Sequence, residues 1–440
     1  MSKKTRNTLL LIFIILFIIL TTLFSIYASG YKFNLSWPIR FNRLLQRTGM
    51  LIVETKPTKA IVYLNNKPQH NPSLKPWRKD YLVTPAKIKN ILPGEYELRL
   101  ENEGYWPFIK KININSGETT FIKEINLFLK TTPTLVLPCP EDSLIISPDS
   151  KYIYSQNAKK IITLKTEEVK ELEVPNEAPS TWLDNNKLLV AGVLFNPLKN
   201  TTENYADLIG ANADSWRFET MTGYLYYKNK NTINLFKPDN RTSTLLLSGG
   251  DYLDYKPKNN QLFILIKKDN QIFLEKIPST NSQKESWLLP ATGDYSFSQN
   301  LANYLTVYDK KNQTLYLFNE TKIGDGPLVI KNIKNWALMD INNLIYTNNF
   351  EIYTFDLTNN RSTLITRRGT AIKDIIWNAE KNYLIFSEKE NLNVFDFKNH
   401  NVTSLLAGEE IISPVLNTKD NTLYFWANIN EQEGIYKILL

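Results

Sequence analysis

Ser147-Pro148-Asp149-Ser150-Lys151-Tyr152-Ile153-Tyr154 is a turn that feeds an apolar strand, and variants of it recur down the rest of the chain. The apolar residue that opens the strand after each Asp-, Asn- or Lys-rich turn defines a set of anchors. These are Tyr152, Leu188, Tyr224, Leu262, Tyr304, Leu344, Tyr383 and Leu423, spaced by 36, 36, 38, 42, 40, 39 and 40 residues. A period of this size marks a repeat architecture. After most anchors comes a second β-rich run, such as Ile233 to Phe236 or Ile352 to Phe355, then a turn and a third run such as Leu245 to Leu247 or Leu364 to Thr366. With the short strand before each anchor, every unit holds four strands.

Four antiparallel strands every forty or so residues is the period of a β-propeller blade, whose sheets pack radially and leave only short edges. Eight anchors predict eight blades. Seven is the alternative, because the second unit runs from Leu188 to Phe195 and then through residues 196–204 without a clear third strand. The chain stops at Ile435-Tyr436-Lys437-Ile438-Leu439-Leu440, one strand short of a complete blade. The segment 132–138 reads like the fourth strands Arg361 to Thr366 and Asn401 to Leu406, so its pairing with the carboxy-terminal strands would close the ring and hide an edge. The repeats resemble WD40-like and TolB-like propellers, with Ser147-Pro148-Asp149-Ser150-Lys151 in the place of the Ser-Pro-Asp-Gly-Lys turn. The fold class expected is therefore mainly β, with a propeller over residues 132–440.

Of the formal charge of +8, seven basic residues (Lys3, Lys4, Arg6, Lys32, Arg40, Arg43, Arg47) fall before Gly49 in a stretch without Asp or Glu, which leaves +1 for the rest. A nearly neutral body has no surface for tracking phosphates, and nucleic acid is not an expected partner. Residues 9–28 carry no charge, and about 20 apolar residues suffice for a helix to cross a bilayer. This segment reads as a retained transmembrane anchor after a cytoplasmic tail, residues 1–8. A cleaved signal peptide ending near Ala28 competes with it, although the apolar run exceeds the usual h-region of roughly 7–15 residues. Basic residues flank the span on both sides, so charge alone does not orient it. In the basic stalk, residues 29–48, the run from Pro38 reads as a short helix with Phe41, Leu44 and Leu45 on one side, able to lie among lipid headgroups or to pack on the next domain.

Residues 49–129 read as a small β domain. Its marks are the strand from Gly49 to its Pro57 stop, Val62-Tyr63-Leu64, Thr84-Pro85, the turn Leu92-Pro93-Gly94-Glu95-Tyr96 and the Gly104-Tyr105 corner. In the turn, Pro presets φ and Gly tolerates positive φ. The order resembles the PEGA domain, with an insertion from Pro68 to Lys79 where the family has a short turn. The resemblance implies placement outside the cytoplasm, near surface polymers, and so an amino terminus inside.

Catalytic chemistry finds few footholds. The only cysteine is Cys139 and the only histidines are His70 and His400, each in a loop without a partner in sequence, so thiolate metal clusters and histidine-based triads are not expected. No phosphate loop or calcium loop is present, and no cofactor is expected. Paired carboxylates need only two acids. Asp251, Asp254, Asp294, Asp340 and Asp374 stand near the starts of inner strands, where the central channel of a propeller opens, although turn-capping is their commonest role. Trp182, Trp216, Trp336 and Trp377 lie near the same strands and read either as a stacking surface for sugars or peptides or as packing between blades. The candidate channel-mouth set is Trp182, Trp216, Asp254, Asp294, Trp336, Asp374 and Trp377. The function expected is that of a membrane-anchored, non-enzymatic binding scaffold whose partners are the bilayer and a surface protein or envelope glycan. A polysaccharide hydrolase or lyase using channel carboxylates is the runner-up, and a plain structural spacer the third reading. The Lys-, Asn- and Ile-rich composition is of prokaryotic type.

Overall fold

The computed structural model describes residues 3–34, 44–71, 80–175, 179–209, 213–277, 285–298, 301, 304–408 and 410–440. The N-terminal helix Lys3–Ala28 contains the segment Thr5–Ala28, which is 24 residues long, apolar enough to cross a membrane and unburied. At about 1.5 Å per residue it extends roughly 36 Å, enough for a hydrocarbon core of about 30 Å. Two of its hydroxyls are satisfied within the helix: Thr21 and Thr22 donate to the carbonyls of Phe17 and Ile18 at 2.7 and 2.8 Å. Beyond it, Tyr31–Phe33 pairs antiparallel with Leu45–Arg47, Tyr31 opposite Arg47. The helix expected from Pro38 falls largely on residues 35–43, outside the described residues. Its final Leu45-Gln46-Arg47 is strand instead, because Tyr31–Phe33 offers those three residues a backbone partner.

Two compact units divide the chain, the first of Met1–Thr131 with Phe395–Leu405 and the second of Thr132–Val394 with Leu406–Leu440. In the first, Gly49–Lys56 lies between Ala86–Ile91, antiparallel to it, and Thr119–Asn126, parallel to it. A second sheet orders Lys67–Pro68, Ile61–Leu64, Gly94–Glu101 and Phe108–Ile114. Side chains of Gly49–Lys56 alternate between buried and half-buried, as the two-residue period of a strand requires. The dry faces meet in a core around Leu51, Val53, Val62, Leu98 and Leu100. Thr84, beside the expected Thr-Pro turn, is buried, with its hydroxyl bonded to Thr55 and accepting the Ala60 amide at 3.0 Å.

From Thr134 to Leu439 the described residues form eight four-stranded sheets, and each of the eight anchors stands at the first or second residue of a sheet's second strand. In chain order the innermost strands of blades one to eight are Leu144–Ile146, Ser180–Asp184, Ser215–Glu219, Asp251–Lys258, Tyr295–Phe297, Asn335–Leu338, Ile372–Asn378 and Ile411–Asn417. The second strands are the driest, because both their faces are covered by neighbouring blades; Tyr383–Glu388 is buried at every position. The outermost strands are wet, and Glu168–Glu171 and Thr201–Asn204 are exposed throughout. This gradient is why the anchors read as unbroken apolar runs.

Apolar clusters join blade to blade: Tyr154 with Val190, Trp216 with Leu189, Tyr226 with Ile264, Phe263 with Val307, and Leu317 with Tyr346. Hydrogen bonds mark the next two joints, Trp377 Nε1 to the Met339 carbonyl at 3.3 Å and the Tyr383 hydroxyl to Asn421 Oδ1 at 2.6 Å. Blade eight then meets blade one through Trp426 and Ile153. It takes three strands, Ile411–Asn417, Thr422–Ile429 and Gln432–Leu439, from the end of the chain and its outermost strand, Thr134–Pro138, from the start of the unit.

Turn chemistry repeats with the blades. Ser147 Oγ accepts the amides of Lys151 and Tyr152 at 3.1 and 3.0 Å, and Ser150 takes φ of +56°, which explains why glycine suits this position in related turns. Asp309, Asp356 and Asp396 each accept the amides two and three residues on and the side-chain amide of an Asn at the third. The second blade, whose third strand is obscure in sequence, is regular. Ala191-Gly192, at φ of +48° and +84°, breaks the apolar run into the hairpin Lys187–Val190 and Val193–Asn196. Gly192 has a second reason to lack a side chain, since a Cβ there would lie 2.6 Å from Trp216 Cζ2.

At the closure, a Cβ on Gly434 would come within 2.5 Å of Leu135 Cδ1 and 2.6 Å of the Leu137 carbonyl oxygen. Gly434→Ala should therefore destabilise the full chain by about 1–3 kcal/mol, the usual cost of overpacking. Gly369→Ala, with open space around it, should not. Thermal unfolding in detergent compares the two, and equal midpoints would show that the closing seam is not tightly packed.

Candidate functional site

The innermost strand of a blade has one edge without a ladder partner, so its backbone groups must be satisfied some other way. Here neighbouring blades supply side chains. Asp254 Oδ2 accepts the Phe297 amide of blade five at 2.8 Å, while Oδ1 accepts the Tyr255 amide at 2.8 Å and Arg217 Nη2 of blade three at 3.1 Å. Asn335 Nδ2 donates to the Lys373 carbonyl of blade seven. Ser413 Oγ of blade eight accepts the Leu144 amide of blade one at 3.0 Å. Lys256 Nζ donates to the Ser298 carbonyl. Together these contacts form a belt of side-chain-to-backbone bonds around the channel.

Register shifts between Tyr252 and Asp254, Ile372 and Asp374, and Ile412 and Val415 show bulges in three of these strands. Bulges re-aim side chains, and here they bring Asp254, Asp374 and Ser413 to the belt. A cavity of about 340 Å³ opens beside Asp374 and Ser413, lined also by Leu144, Ser298, Lys334, Asn335 and Trp336, from five different blades in all. Lys256 is pushed down to about 8, first by burial and then by the nearby charges of Lys258 and Arg217, with Asp254 opposing.

The candidate residues separate by role. Trp336 and Asp374 line the cavity together. Trp336 is half-buried and tilted against Tyr308 at 4.8 Å between ring centroids, and Asp374 Oδ2 accepts the Ser387 hydroxyl at 2.9 Å. Asp254 is buried and fully engaged as a fastener. Trp182 stacks on Tyr152 at 6.0 Å and donates to the Ile145 carbonyl at 3.2 Å, a joint between blades one and two. Trp216, 6% exposed and pressed between Gly192 and Tyr227, presents no face to a ligand. Trp377 likewise spends its N–H on blade six. Asp294 and Asp251 are exposed, and Asp340 caps its own turn through the Asn342 amide and Asn343 side chain. The tryptophans were grouped by strand position, but inward and sideways directions differ by a single residue, which is why only Trp336 reaches the cavity.

Lys256, Arg217, Asn335 and Ser413 join the site without having been singled out in the sequence. Small polar residues at one level of successive inner strands were a signal for Asn335 and Ser413. A lysine facing the channel reads like any other strand lysine. Cys139 is buried, its thiol pushed up to about 11 by burial and then by Asp142. Among the described residues, no three or more His, Cys, Asp or Glu are grouped to hold a metal ion.

Residues 79–127 match the PEGA domain family, so the first β unit carries a PEGA domain. No curated protein matches the chain. Among solved structures, dihydro-heme d1 dehydrogenase NirN in complex with DHE is similar at 9% identity, covering 68% of this chain and 74% of that one with a TM-score of 0.47. Oligogalacturonate lyase from Vibrio parahaemolyticus is similar at 10% identity, 70% and 98% coverage and a TM-score of 0.41. Kluyveromyces lactis Hsv2 is similar at 12% identity, 70% and 98% coverage and a TM-score of 0.37. At these values the likeness assigns neither a residue nor an activity to this chain.

The lowered Lys256 pKa carries a signed prediction. Between about 8 and the ordinary lysine value of 10.5, the unfolded chain holds this proton and the folded chain releases it. Stability relative to Lys256→Met should therefore rise as pH increases across that window and stay flat below it. Urea titrations of the full chain in detergent at pH 7, 8.5 and 10 read the difference, and a difference that does not change with pH would place Lys256 in water.

Proposed function

We propose that the protein is a membrane-anchored binding scaffold. In this reading its amino terminus is cytoplasmic, its two β units are extracytoplasmic in a prokaryotic envelope, and the channel mouth around Trp336 and Asp374 engages a surface protein or envelope glycan. The observation that carries binding over turnover is the full occupation of Asp254. Asp254 holds three donors from three inner strands and Asp374 is bonded to Ser387. A general acid or nucleophile needs an oxygen free for substrate; both oxygens of Asp254 are spent on joints between blades, which takes it out of any carboxylate pair with Asp374. Orientation is supported by the PEGA match, since that domain is typically extracellular. The bilayer partner is supported by the length and apolarity of Thr5–Ala28.

Protease added to intact spheroplasts should remove a carboxy-terminal tag on the full chain and spare an amino-terminal one. A carboxy-terminal tag that becomes sensitive only after lysis would overturn the placement. Incubated with the full chain in detergent, envelope polysaccharides should keep their chain length; shortening that disappears in Asp374→Asn would replace the binding reading with the hydrolytic or lytic one.

A further inference from the structure

A second cavity, of about 450 Å³, lies between blades five and six, away from the channel belt. It is built by the hairpin 348–350, the turns at Gln313 and Asn332, and the end of the outermost strand Arg361–Arg367. The hairpin is rigid. Asn348 Oδ1 accepts the amides of Phe350 and Glu351 at 2.8 and 2.7 Å, and the carbonyls of Asn349 and Phe350 accept the amides of Ile372 and Arg368 at 2.8 and 2.7 Å. Phe350 is nevertheless 48% exposed at the lip, with about half of its surface in water.

The polar lining divides in two. The charges are already paired: Arg367 Nε and Nη2 both donate to Glu351 Oε1, and Arg368 Nε donates to Glu388 Oε1 at 2.8 Å. Hydrogen bonds from Tyr353, Arg367 and Asn348 hold the Glu351 carboxyl down at about 2, so it stays ionised and matched to its arginine. The carboxamides are not paired. The side chains of Gln313, Asn332 and Asn349 make no hydrogen bond to any described residue, yet all three line the same cavity.

We infer that this cavity between blades five and six is a subsite for a neutral pyranose, with the Phe350 ring against the apolar face of the sugar and the carboxamides of Gln313, Asn332 and Asn349 on its hydroxyls. A carboxamide offers a donor and an acceptor side by side, the pattern that adjacent hydroxyls present in return. An exposed aromatic face covers the C–H side of a sugar ring without needing charge. The volume falls within the range of small-ligand sites, about 300–1,000 Å³, and the rigid hairpin lowers the ordering cost of binding. Neutralised arginines disfavour an anionic sugar, which would have to compete with Glu351 and Glu388. The inference rests on the binding reading above and narrows its ligand to a neutral glycan.

Saturation-transfer NMR on the full chain in lipid nanodiscs, with the methyl pyranosides of glucose, galactose, mannose and N-acetylglucosamine and with glucuronate as the charged comparison, tests it. At least one neutral pyranoside should receive saturation. Phe350→Ala and Asn349→Ala, both at exposed positions, should each weaken that binding at least tenfold with an unchanged unfolding midpoint, while Trp336→Ala leaves it intact. Saturation of none of the neutral sugars, preference for glucuronate, or binding lost only in Trp336→Ala would overturn this site. The last two outcomes would leave the binding reading standing, and the topology and chain-length experiments judge that reading independently.

Discussion

Everything in the second unit depends on the pairing of its first strand with its last hairpin. Thr134 stands opposite Lys437 and Pro138 opposite Gly434, so the eighth sheet is completed by residues about three hundred positions apart in sequence. An open row of blades would leave the Gln432–Leu439 ladder groups unpaired and the apolar faces of the first and last blades in water. Closure removes both faults at once. It also explains how a chain with a single cysteine can hold a ring together: the crosslink is a β-ladder with a dry cluster behind it, Leu137 and Ile435 against Ile153. The seam's steric demand falls on Gly434, where the closing strand passes too near for any side chain.

The channel belt follows from the same geometry. Radial sheets turn one bare edge each toward the axis, and the backbone groups on those edges are too buried to be left unmet. Asp254, Asn335, Ser413 and Lys256 meet them from neighbouring blades. Asp254, Asn335 and Ser413 are thereby used in construction, and Trp336, Lys334 and Asp374 stand at the cavity the belt leaves open.

The fold was legible because its signal is redundant. Turns, most of them rich in Asp, Asn and Lys, recur before eight second strands that are largely buried, and such a strand reads as apolar whatever its exact residues. Where one blade departed, the reason was local: Ala191-Gly192 makes a two-residue hairpin inside what looks like a single run from Leu188 to Phe195. The Leu45–Arg47 strand was misread as helix because its partner, Tyr31–Phe33, is supplied across a loop and leaves no period of its own. The candidate site was legible only in part. Strand position finds residues near the channel, but successive side chains of a strand point in opposite directions, so a difference of one residue decides which of them reach the cavity. Asp374 and Trp336 line the cavity, whereas Trp182, Trp216 and Trp377 pack between blades.

Repetition of the frame makes the exceptions informative. The hairpins joining second and third strands carry Lys230 in blade three, Asp269-Asn270 in blade four, Lys389-Glu390 in blade seven and Asn430-Glu431 in blade eight, charged or amide tips that any solvated turn accepts. Blade six alone among these sets an aromatic residue, Phe350, at the tip, and its neighbours at Gln313 and Asn332 are uncharged. Stability gives no reason for this, since a lysine or asparagine would fill the turn equally well and expose less apolar surface. A ring of near-equivalent sheets offers the same scaffold eight times, and the proposed sugar subsite rests on the hairpin where an aromatic tip and uncharged carboxamides coincide at one cavity.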